Sequence, residues 1–117
     1  MHLTADHALR DGYFWIAVAG RWDLGDAYGL VELIRRETDL AGVDRALADL
    51  RNVDGPVPGL DRFFAGKHVA TVLGARVRLA VIARPEMIDK LGENTAVNRG
   101  ARILVSGTEA EALAFLD

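Results

Sequence analysis

Residues 13–19 read YFWIAVA, an uncharged run rich in aromatic and β-branched side chains. A segment of this kind suits a strand covered on both faces, which is the situation inside a parallel sheet flanked by helices. A second apolar run, VRLAVIA at residues 77–83, follows two stretches with helical spacing, so the chain alternates strands with helices. With 117 residues, half of them apolar, one domain spanning residues 1–117 can bury a core without staples.

The remaining elements fall between these runs. Residues 3–9 form a strand candidate, and Asp11-Gly12 supplies the hairpin signal that joins it to the next run, so residues 2–20 read as a hairpin. Asp23 or Asp26 can cap a helix whose apolar positions are Ala27, Leu30, Val31 and Ile34, with Gly42 as its stop. Residues 45–50 are the next strand, and a helix over 59–73 ends at Gly74. Pro85 opens a helix with the apolar stripe Met87, Ile88 and Leu91, fraying over 94–100. Residues 103–105 are a last short strand, and Thr108 with Glu111 matches a capping box opening a closing helix. The order is β-β-α-β-α-β-α-β-α, an α/β fold with a mostly parallel sheet of about five strands and four helices.

Several functions are excluded by composition. The chain has no cysteine, so disulfides, thiolate catalysis and cysteine-based metal sites are ruled out, and a reducing, cytoplasmic setting is expected. Net charge is −3 with the two signs interspersed, which offers no field for nucleic acid. No run approaches the roughly 20 apolar residues of a membrane span, and the start lacks the pattern of a secretory signal. The spacing in GRWDLGDAYG matches neither nucleotide fingerprint. His2 and His7 are five apart on a strand candidate and do not chelate, and His68 is a lone helical histidine expected on the solvated surface. No metal or cofactor is expected.

Chemistry-bearing residues concentrate at one junction, LADLRNVDGPVPGL over 47–60. Asp49, Arg51, Asn52 and Asp54 are expected at the carboxyl end of a strand, with Pro58, Gly59 and Leu60 leading into the next helix. Ligands and partners gather at such edges in α/β sheets. The plainer reading of the same residues is a local turn network, with Asp and Asn bonding backbone and Arg pairing with carboxylate. Phe63, Phe64, Val69, Val72 and Leu73 are too many for one narrow stripe, so that helix either lines a pocket or partner surface or is wrapped by its neighbours. Arg84, Ser106 and Thr108 could meet an anion at the sheet's edge, although capping alone explains Thr108. Trp22 could anchor a partner or close the end of the core.

The element order, together with ALADLRNVDG, Gly59-Leu60 and SGTEAEALAFL, resembles the STAS superfamily of anti-sigma-factor antagonists and sulfate-transporter domains. The resemblance covers nearly the whole chain. It implies a bacterial-type, non-catalytic regulatory module whose partner is another protein, such as an anti-sigma or kinase-like regulator, or a second copy in a homodimer. In that family a serine or threonine just before Gly-Leu is phosphorylated; here Val57-Pro58 stands there, and Ser106 is the chain's only serine. The alternative reading is a carrier of a small apolar or amphipathic ligand, by analogy with lipid-transfer folds. An enzyme using the Asp/Arg cluster is the third reading, without an identified nucleophile or base.

Overall fold

The computed structural model describes residues 2–88 and 90–117. Its elements are β1 (Leu3–Arg10), β2 (Tyr13–Arg21), α1 (Leu24–Ala41), β3 (Arg45–Asp54), α2 (Gly59–Val72), β4 (Arg78–Ile82), a 3₁₀ turn (Pro85–Met87), α3 (Leu91–Asn98), β5 (Arg102–Ser106) and α4 (Glu109–Leu116). The strands lie in the order β1-β2-β3-β4-β5. β1 and β2 form the expected antiparallel hairpin, and every later pairing is parallel.

Because each parallel strand is added beside its predecessor, crossovers of one hand carry α1, α2 and α3 to the same face. Only α4 is left for the other. The core divides accordingly: Ile16, Val18, Ala48, Leu79 and Val81 pack with Ile34 and Val69, whereas Leu47, Ala80 and Ile82 pack with Ala112 and Leu116. This corrects the expectation that residues 13–19 are covered on both faces. Phe14, Ile16 and Val18 are buried, but Tyr13, Trp15 and Ala17 are half-exposed at the margin of the α4 layer, since one short helix cannot span five strands.

Helix ends follow the sequence signals. The Asp23 carboxylate accepts from Asp26 N–H at 2.8 Å as N-cap of α1, and Gly42 closes that helix at φ 69°. Thr108 caps α4 by accepting from Glu111 N–H at 3.2 Å. The reciprocal half of the box is replaced, because Thr108 N–H donates to Ser106 Oγ. At the other end of α4, Arg45 and Arg78 donate to the carbonyls of Leu116 and Phe115, which have no intrahelical partner.

The stretch after Pro85 departs from expectation. It is not one helix: the 3₁₀ turn stops at Met87, Lys90 takes a left-handed φ of 68°, and α3 then begins, with Asn94–Asn98 inside it rather than fraying. Met87 and Ile88 turn toward the core, while Leu91 is exposed, so the three do not share a helical face.

Candidate functional site

The junction after β3 is built differently from a loop. β3 runs through Asp54 instead of ending near Leu50, so Arg51, Asn52 and Asp54 join Asp49 as strand residues and are not turn residues. The cause is a bulge: Ala17 pairs with Asp49, but Ala19 pairs with Asn52, so β3 holds one extra residue. The bulge puts both Leu50 and Val53 on the helix-covered side. It also frees the Arg51 N–H from the ladder, and Asp49 Oδ1 accepts it at 3.0 Å.

The same carboxylate takes the Arg51 guanidinium in a two-pronged pair, Nε to Oδ1 at 3.0 Å and Nη2 to Oδ2 at 2.8 Å. The Arg51 side-chain hydrogen bond holds the Asp49 carboxyl below its ordinary value, against the opposing effect of partial burial. Hydrogen bonding to Asp49 raises Arg51 in turn. The pair is therefore internally satisfied. Asn52 and Asp54 are exposed and do not join it; the Asp54 carbonyl accepts Trp22 N–H at 3.1 Å.

Past the strand, Gly55 at φ 87° turns the chain and Val57 is buried as a plug. Pro58 is the N-cap position of α2 and offers no side-chain cap. The first turn is fixed instead by Asp61, whose Oδ2 accepts the Trp22 indole N–H at 2.7 Å. Trp22 thus both closes the core and positions α2. On the outer side of α2, Leu60 is 65% exposed and Phe64 36%, and Phe63 packs edge-on to Phe64 with ring centroids 5.5 Å apart. Leu91, 40% exposed, stands against Gly59. The apolar excess of α2 is therefore split: Val69 and Leu73 enter the core, and the first turns stay outside.

Other candidates resolve into structure. His68 is half-buried rather than fully solvated; it stacks on Tyr28 at 4.3 Å, and its Nε2 is buried. Arg84 donates to the Val53 carbonyl at 2.8 Å, beyond the last β3–β4 pair, and Ser106 Oγ is used by Thr108 N–H, so no anion crevice forms there. His7 leans on Phe14. The sequence reading missed that His2, Asp23 and Asp26 converge. Asp26 accepts the N–H groups of Leu3 and His2, and these bonds lower its pKa. The grouping thereby tethers β1 to α1, and only tertiary structure brings it together.

Beneath α2 lies an apolar cavity of about 190 Å³, between the sheet and α1, α2 and α3. α2 makes its close backbone approaches to α1 and α3 and reaches the sheet through the buried Val69. Gly66 allows this, since a Cβ there would overlap the Gly92 carbonyl oxygen of α3. Ala65 and Gly66 are too small to fill the space below.

No family model matches the chain, and no curated protein is significantly similar to it in sequence. Solved structures do match. An anti-sigma factor antagonist from Mycobacterium paratuberculosis superposes with a TM-score of 0.65 at 20% identity, over 97% of this chain and 93% of that one. An uncharacterized DUF3478-family protein with a SpoIIAA-like fold from Shewanella loihica PV-4 gives 0.61 at 19% identity, over 100% and 96%. At these identities the likeness is one of fold. The chain has a STAS-like, SpoIIAA-like α/β fold.

Proposed function

We propose that this protein is a non-catalytic regulatory module that docks another protein on the loop at 55–58 and the outer face of α2. One observation carries the reading: Leu60 and Phe64, one helical turn apart, are held in solvent at the start of α2. Exposed aromatic and aliphatic side chains grouped on one helix are the usual anchors of an interface. Phe63, Gly59 and Pro58 complete the face in this reading. Asp49 and Arg51 support it from behind, because their mutual pairing fixes the bulge that aims β3 into the loop.

The fold likeness to an anti-sigma factor antagonist supports a partner of the anti-sigma or kinase-like kind. Docking here is constitutive: Val57 is buried and Pro58 has no hydroxyl, so the loop at 55–58 offers a kinase no acceptor. Affinity capture with wild type, Leu60→Ser/Phe64→Ser and Arg51→Ala baits tests the reading, with mass spectrometry of captured chains and sedimentation of the protein alone. A stoichiometric partner lost with the α2 variant and only weakened with Arg51→Ala is expected. An identical partner set on all three baits would overturn it. Loss of a dimer in the α2 variant, without any other partner, would reassign the face to self-association.

A further inference from the structure

We infer that the cavity beneath α2 is a binding site for one small, uncharged, apolar molecule of about the size of a single aromatic ring. Its volume of about 190 Å³ decides the size class. A dry apolar protein cavity of about 150 Å³ accommodates benzene, whereas drug-sized ligands occupy pockets of roughly 300 Å³ and more. A long acyl chain exceeds this volume and could enter only in part.

The wall decides the chemistry. Val18, Val53, Val69, Val81 and Val105 present methyl groups from both sheet and helix. Three charged side chains reach the margin, and each is engaged. Lys90 Nζ donates to Glu93 Oε2 at 3.0 Å and to the Val105 carbonyl at 2.8 Å, while Glu93 Oε2 also accepts Val105 N–H at 2.6 Å. Arg62 likewise has its own interactions. A charged guest would have to break these bonds to be neutralised, so an uncharged one is selected. The cavity extends to the carboxyl ends of the strands, where Trp22, Val57 and Ile88 line it. This inference is independent of the docking reading, since its site is the inner side of α2.

Benzene is the probe. In methyl-labelled wild-type protein, a benzene titration is expected to shift saturably the methyl resonances of Val18, Val53, Val69 and Val81, and to raise the melting temperature with the logarithm of benzene concentration. Ala65→Leu, which fills the space from above, is expected to abolish both effects. Absence of saturable shifts at these valines up to the solubility of benzene would overturn the inference. So would shifts confined to Leu60 and Leu91, which would place benzene on the outer surface, or an unchanged response in a folded Ala65→Leu variant. Should that variant not fold, the wild-type methyl map decides alone.

Discussion

Trp22 donates its indole N–H to Asp61 Oδ2 across 2.7 Å, joining the end of β2 to the first turn of α2. α2 has no side-chain N-cap, so this bond and the two helices beside it orient the proposed docking face. Trp22→Phe keeps the ring against the core but removes the donor. It should cost about 1.5–3 kcal/mol in urea unfolding, the range of a hydrogen bond to a charged group. Asp61→Asn, which keeps an acceptor, should cost less.

Close packing of α2 on α3 gives a second test. Gly66→Ala forces a methyl against the Gly92 carbonyl, which is backbone and cannot swing aside. A loss of about 1–3 kcal/mol is expected, as for an overpacked site, against a small effect at the open Gly29. Equal melting temperatures for Gly66→Ala and Gly29→Ala would contradict the crossing.

Asp49 and Asp26 predict a shape for the acid limb of stability. Both carboxyls are lowered in the folded protein, Asp49 by the Arg51 side chain first and Asp26 by the Leu3 and His2 backbone first. Their contribution is therefore present above the ordinary value of 3.8 and lost as pH falls through the lower folded values. Asp49→Asn and Asp26→Asn should be less stable than wild type at pH 7, and the difference should shrink as pH falls below about 4. A difference that persists to the lowest pH reached would refute the electrostatic origin.

The division of α2 and the strands into inside and outside can be read by truncation. Ile16 is fully buried and Ile16→Ala should cost about 2–5 kcal/mol. Leu60 is largely exposed, so Leu60→Ala should stay within about 0.5 kcal/mol while weakening partner capture. Comparable losses for the two would mean that Leu60 is packed.

Much of the architecture was legible in the chain. The hairpin around Asp11-Gly12, the Asp23 and Thr108 caps and the Gly42 stop are local, because each depends on backbone groups within a few residues. What failed was non-local. The bulge at Leu50–Arg51 is a mismatch between two strands and leaves no mark in either alone. The half-open side of β2 follows from strand order, which periodicity does not specify. The break at Lys90 hid within a plausible apolar spacing, and a left-handed lysine has no signature in sequence. Of the candidate residues, Leu60, Phe63 and Phe64 lie on the first turns of α2, with Pro58 and Gly59 at its start, whereas Asp49 and Arg51 form a separate pair.

The strand order β1-β2-β3-β4-β5 also bears on how the chain reaches its fold. Every strand pairs only with its neighbours in the chain, so no strand must be inserted between two that have already met. Each closure spans one hairpin or one crossover, which keeps the entropy of loop closure small at every step. The sheet can therefore grow outward by accretion from an early β2-α1-β3 nucleus, with β5 and α4 joining last. Pulsed hydrogen exchange should then show amides of β2 and β3 protected before those of β5, and the reverse order would place the nucleus at the β5 edge.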